Sequence, residues 1–157
     1  MPPLDFLNDP DWRREVLRDG FGKGFWGFFA VAVGTETGMV LGPHISDLDT
    51  EAGRVAWRNQ IRSVQQLYAA ESNDFATDRH PDYFTTRTVR AEVDESRIHA
   101  IQHHHAHVAS AIVEHQFESR VPVLGFAFDG TGYGEDGAVW GGEILVASRV
   151  KYERIGH

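Results

Sequence analysis

Apolar and polar positions alternate in short blocks along most of the chain, and each block predicts an element. Residues 1 to 24 are polar and irregular; Asp11 to Arg18 suits a short helix, before Gly20, Gly22 and Gly24 break the pattern. Phe28 to Thr35 is rich in aromatic and β-branched residues and reads as a strand. A turn at Glu36-Thr37-Gly38 leads to a second strand, Met39 to Ile45. From Thr50 to Ala70, Val55, Ile61, Val64, Leu67 and Tyr68 recur at helical spacing, with Thr50 as cap and Glu51 in the first turn. Ser72 to Thr77 suits a short strand, and Pro81 predicts a helix to about Arg90 while forcing His80 out of helical geometry. Arg97 to Gln102 then reads as a strand and His103 to His115 as a helix, with Ala106, Ala109, Ile112 and Val113 available for packing. Val121 to Phe128 is almost continuously apolar, which predicts a strand buried on both faces. Ala138 to Val150 suggests hairpin strands around Gly141-Gly142. Strands alternating with helices predict an α/β chain with a mixed sheet.

Composition narrows the chemistry. With 157 residues, 41% of them hydrophobic and 24% charged, the chain is long enough for one ordinary domain with a core. The formal net charge of −8 offers no basic excess to neutralise phosphates, so general nucleic-acid binding is not expected. Without cysteine, any metal must be held by nitrogen and oxygen. The start lacks a basic, apolar leader, and Phe25 to Val33 is too short to span a membrane, so a cytoplasmic protein is expected.

Four of the nine histidines fall in His103-His104-His105-Ala106-His107. On a helix His103 and His107 lie one turn apart on one face, where two imidazoles can reach one ion; His104 and His105 point elsewhere and suit supporting or substrate contacts. Clustered histidines can also simply cap a helix and bind its backbone. One strand later comes Asp129-Gly130-Thr131-Gly132. Such a stretch is often only a tight turn, because glycine permits positive φ. Its other reading is an anion-binding loop with Asp129 serving a metal, at the carboxyl end of a strand where α/β sheets gather ligands. Asp78 to Tyr83 and His44 to Asp49 are titratable but read equally well as a solvated turn and a helix cap. Trp140-Gly141-Gly142-Glu143 reads as a hairpin with an aromatic anchor, with Glu143 alternatively orienting the site.

Four segments, in order, resemble the C-terminal transferase domain of the hydrogenase maturation carbamoyltransferase HypF. They are His44 to Asp49, Asp78 to Tyr83, Gln102 to Ser110 and the long run Gly125 to Glu143. The resemblance implies an actin-like ATPase fold, related to the ATPases that make threonylcarbamoyladenosine in tRNA. It implies metal-assisted transfer of a carbamoyl group from carbamoyl-adenylate, made from carbamoyl phosphate and ATP, to the C-terminal cysteine of the partner HypE, on the way to a cyanide ligand. By the same resemblance His103, His107 and Asp129 match ligands of zinc or iron, and Gly130, Thr131 and Gly132 match a phosphate loop. The family's usual G-G-E-L-K-N opening is replaced by Gly22-Lys23-Gly24-Phe25-Trp26-Gly27. Residues 25–157 are therefore expected to form the first lobe of that domain, with 1–24 unassigned and the second lobe beyond the chain. An isolated lobe is expected to be inactive, and a non-catalytic module that dimerises or pairs with a missing-lobe partner is the competing expectation.

Overall fold

The computed structural model describes residues 30–35, 38–45, 47–69, 72–118 and 121–157. The expected lead-in over 1–24 and the turn at 36–37 lie outside the described residues, as does the beginning of the expected first strand. The chain divides into two compact units, with the boundary between Ala100 and Ile101.

In the first unit β1 (Ala32–Thr35) pairs antiparallel with β2 (Gly38–Leu41), Val33 opposite Val40. β2 stops earlier than the apolar pattern suggests, because Pro43 has no N–H to continue a ladder. Gln60 takes over there, accepting from Val31 N–H at 3.1 Å and donating to the Pro43 carbonyl at 2.7 Å. Gln60 lies on α1 (Glu51–Leu67), which starts as expected: the Thr50 hydroxyl oxygen accepts from Gly53 N–H at 3.0 Å. The buried stripe of α1 differs from the expected one. Gly53, Trp57 and Val64 are buried and Ile61 is half-buried, whereas Val55, Leu67 and Tyr68 are exposed. Each residue turns the helix by about 100°, so Val55 cannot share a face with Trp57 two positions on. Trp57 meets Phe84 edge-on at 5.5 Å, and with Val31, Val33, Ile45, Leu48 and Val64 forms the core of this unit.

β3 (Phe75–Asp78) lies beside β4 (Ile98–Ile101). Between them run α2 (Phe84–Glu92) and a 3-10 turn, Glu95–Arg97. The helix begins at Phe84 rather than at Pro81, because Pro81 and Asp82 make a turn first; His80 N–H donates to Asp78 Oδ1 at 2.7 Å and its ring stacks on Tyr83.

The second unit contains α3 (His103–Glu114), β5 (Val123–Tyr133), β6 (Val139–Ala147) and β7 (Tyr152–Gly156). The strands lie in the order β5-β6-β7, all antiparallel. Val108 and Ile112 of α3 pack on Ala127, Leu145 and Ala147. Gly125 permits this approach, since a Cβ there would stand 2.5 Å from Val108 Cγ2.

Two expectations fail in this unit. β5 is not buried on both faces: Leu124, Phe126 and Phe128 are exposed while Gly125 and Ala127 between them are buried, because a three-stranded antiparallel sheet carries one helix on one face. Gly141-Gly142 is no hairpin turn but the interior of β6; the turns are at 134–138, where Gly137 has φ +76°, and 148–151. The last residues, for which no element is expected, form β7. Helices and strands are mixed as the α/β class requires, but among the described residues the strands form small sheets of two, two and three rather than one sheet. In the β1–β2 pair and the β5-β6-β7 sheet, strands adjacent in the chain and closed by short turns complete their pairing locally. Among the described residues no helix is long and apolar enough to cross a membrane.

Candidate functional site

The histidine run forms the first turns of α3. Gln102 caps the helix, its Oε1 accepting from His105 N–H at 2.8 Å. That orientation leaves its Nε2 to donate to His104 Nδ1 at 3.1 Å, so His104 carries its own proton on Nε2. The His104 ring is fully buried; its Nε2 makes no contact of full hydrogen-bond geometry, but the Gly141 backbone lies near enough to the ring to raise its pKa against the burial. Burial first, and then the neighbouring His103, hold its pKa below the ordinary value. His105 is buried too and turns away, donating from Nε2 to the Ser148 carbonyl at 2.9 Å and lying against Tyr152. It ties the helix to the β6–β7 turn.

His103 and His107 project together toward Asp129. Nε2 of His103 lies 2.6 Å from Asp129 Oδ2, Nε2 of His107 lies 3.3 Å from the same oxygen, and the two nitrogens are 3.2 Å apart. One ligand atom from each residue falls within 4.8 Å of the others. His103 is buried, while the His107 and Asp129 side chains are 34% and 25% exposed, so the cluster opens on one side. Burial raises the Asp129 carboxyl, but the Gly130 N–H and His103 pull harder and hold its pKa below the ordinary value.

Asp129 reaches this place through a bulge. Phe128 stands opposite Gly142 and Gly132 opposite Trp140, so Asp129, Gly130 and Thr131 together face the single residue Gly141. Extra residues of this kind break the ladder and re-aim side chains. The Asp-Gly-x-Gly stretch is therefore part of a strand, not a tight turn, and Gly137 is the one described glycine with positive φ. Asp129 Oδ1 accepts from Gly130 N–H at 2.7 Å, which leaves Oδ2 for the histidines. Gly130 is open, with nothing within 4 Å of a notional Cβ, whereas at Gly132 that atom would strike the His104 ring.

The donor set suits a metal ion. Two imidazole nitrogens and a carboxylate oxygen are ordinary zinc or iron ligands. Bonds of about 2.0–2.1 Å to a tetrahedral ion would separate its ligands by about 3.3–3.4 Å. Two of the three separations here are close to that, and the 2.6 Å contact would have to open.

Behind the cluster lies a second group. The Glu143 side chain is buried and accepts from Arg154 Nε at 2.6 Å and Nη2 at 3.0 Å; its Oε1 also accepts from Gly141 N–H at 3.0 Å. Arg154 lies over the Trp140 ring at 4.2 Å, and Trp140 Nε1–H donates to Asp136 Oδ1 at 3.0 Å. The sequence pattern draws attention to Glu143 and Trp140 but not to Asp136 or Arg154, since only the pairing of β6 with β7 brings Arg154 beside Glu143. The segments Asp78 to Tyr83 and His44 to Asp49 belong to the first unit, and the cluster of His103, His107 and Asp129 to the second.

A family model described as the HypF Kae1-like domain matches residues 26–114, and one described as the second subdomain of the carbamoyltransferase Kae1-like domain matches 125–157. Carbamoyltransferase HypF of Synechocystis sp. is 35% identical over 127 residues, covering 81% of this chain and 16% of the relative. Carbamoyltransferase HypF of Rhizobium leguminosarum bv. viciae is 37% identical over 116 residues, covering 74% and 15%. The crystal structure of full-length HypF in the phosphate- and nucleotide-bound form superposes with a TM-score of 0.75 at 37% identity, covering 90% of this chain and 22% of that one. The chain thus spans less than a quarter of the length of each of these proteins.

Proposed function

The chain belongs to the HypF carbamoyltransferase family, within its Kae1-like domain, and from that premise we propose that it supplies one wall of a carbamoyl-transfer centre for nickel–iron hydrogenase maturation. Residues 26–114 and 125–157, which match the Kae1-like domain and its second subdomain, form part of an actin-like ATPase fold working in the cytoplasm. His103, His107 and Asp129 hold a divalent zinc or iron ion, and Gly130, Thr131 and Gly132 border the phosphate of ATP or carbamoyl-adenylate. When bound, the metal supplies Lewis acidity toward phosphate and carbamoyl oxygens. The acceptor is the C-terminal cysteine of a HypE-like partner. Its sulfur bonds to the carbamoyl carbon, the bond from that carbon to the adenylate oxygen breaks, AMP leaves with the electron pair and the thiol proton is released.

The work of this chain is positional. Asp129, held ionised by Gly130 and His103, turns Oδ2 to the histidine pair while Gly130 N–H occupies Oδ1. The open flank at Gly130 and Thr131 leaves room for a phosphate, whereas Gly132 is closed by His104. The observation that carries the reading is the convergence of His103, His107 and Asp129 at a strand bulge. Titration of Zn²⁺ or Fe²⁺ into the wild type and a His103→Ala/His107→Ala variant tests it: the wild type should bind and the variant should not, and equal binding would overturn it.

One observation favours a second reading, a non-catalytic assembly module. Leu124, Phe126 and Phe128 form an exposed apolar row, 57%, 57% and 79% exposed, on the face of the sheet away from α3. A second copy or another chain could cover such a row. Sedimentation of the chain alone distinguishes them: a monomer that binds metal supports the transfer centre, and a stable dimer without metal affinity supports the module.

A further inference from the structure

We propose that Glu143, clamped by Arg154, is a positioning residue that shapes the Asp129 bulge and so sets the third corner of the His103–His107–Asp129 cluster. The proposal rests on the metal reading of that cluster.

A carboxylate inside a sheet is costly unless it is paired and hydrogen-bonded. Glu143 is 0% exposed, so its presence requires a partner. Arg154, diagonally across the β6–β7 pair, supplies a two-pronged contact at 2.6 and 3.0 Å. The guanidinium is itself held, face-on to Trp140 at 4.2 Å and 4.0 Å from Asp136 Oδ2. Asp136 in turn fixes Trp140 through the indole N–H.

What this clamp holds is a backbone group. The bulge sets three residues of β5 against Gly141, so Gly141 has no regular ladder partner. Glu143 reaches two residues back along its own strand and accepts the Gly141 N–H at 3.0 Å. Gly141 also lies beside the backbone of Asp129: the Asp129 carbonyl oxygen is 4.0 Å from the position of a Cβ on Gly141. A shift of Gly141 is therefore felt at Asp129. The other end of the bulge is gripped where Gly132 packs on the His104 ring that Gln102 orients, and the Gly141 backbone also reaches that ring. An ion pair that merely added stability would not need the third hydrogen bond, which points at the one residue opposing the bulge.

Co²⁺ is a visible stand-in for zinc or iron, reporting both affinity and ligand geometry through its d–d absorption. It is titrated into the full chain as wild type, H103A/H107A, E143L/R154M and E143Q/R154M. Both double variants at 143 and 154 remove the ion pair, but only glutamine keeps an acceptor for Gly141. The leucine variant should bind Co²⁺ about tenfold more weakly, with an altered band, as for loss of a supporting hydrogen bond at a metal site. The glutamine variant should recover most of the affinity and the wild-type band. If both variants match the wild type, or both are equally weak, the positioning role is overturned. Should the leucine variant fail to fold, Arg154→Lys decides: it keeps the charge but loses the two-pronged contact, so an unchanged spectrum and affinity would overturn the role. Wild type binding no better than H103A/H107A would remove the metal reading itself, an outcome distinct from failure of the positioning role alone.

Discussion

Gly130 and Gly132 stand two residues apart in one glycine-rich stretch, yet the same substitution should have opposite effects on them. At Gly132 the added Cβ of alanine would lie 2.5 Å from Cε1 and 2.7 Å from Nδ1 of His104, and 2.9 Å from Cβ of His103. Carbon atoms rest at about 3.5–4.0 Å, so the methyl overlaps its neighbour by about an ångström. His104 has nowhere to go, being fully buried with Nδ1 bound to Gln102. Overpacking of this kind costs about 1–3 kcal/mol, against which the stiffer unfolded chain returns only about 0.4–1 kcal/mol. Gly132→Ala should therefore lose about 1–2 kcal/mol net. At Gly130 nothing lies within 4 Å and φ is not positive, so only the gain of about 0.4–1 kcal/mol remains. Urea unfolding of the two variants beside the wild type measures the difference, and a metal titration of each should show weaker binding only for Gly132→Ala, which displaces the base of the histidine run. A Gly132→Ala protein as stable as Gly130→Ala would refute the packing argument.

Further outcomes follow from other contacts. Thr50→Ala removes the acceptor for Gly53 N–H and should cost about 1 kcal/mol, read from thermal unfolding followed by circular dichroism. His105→Ala breaks the link from α3 to the Ser148 carbonyl and should cost about 1–3 kcal/mol, while Co²⁺ affinity stays at the wild-type level because His105 points away from the cluster. Burial raises the Glu143 carboxyl, but Arg154 and the Gly141 N–H outweigh it and hold its pKa below the ordinary 4.5. A depressed folded value means the stabilisation is complete above the ordinary glutamate range and disappears as pH falls through the folded value. Denaturant midpoints should fall more steeply with acid in the wild type than in E143Q/R154M, and parallel curves would count against the clamp.

Local chemistry was legible wherever neighbours in sequence are neighbours in space. The Thr50 cap, the start of α1 and the one-turn spacing of His103 and His107 depend on contacts within a few residues, so pattern alone identifies them. The same reasoning misjudged Val55, Leu67 and Tyr68, because several helical stripes fit the apolar residues of α1 and only packing against Phe84 and β1 selects one. It also misjudged β5, where an apolar run does not say how many faces are covered.

Residue types and spacing by themselves determined the donor chemistry: nitrogen and oxygen ligands without thiolate, two imidazoles on one helical face, and a carboxylate on the next strand beside glycines. The tertiary structure decided what those groups meet. Asp129 turns its Oδ2 to the histidines because a bulge sets three residues against Gly141, and the bulge exists only in the pairing of β5 with β6. Glu143 holds Gly141 because β7, unrecognised in the sequence, brings Arg154 beside it. Strand register is a long-range property, set by which faces bury together, and a shift of one residue would turn every one of these side chains to the other face.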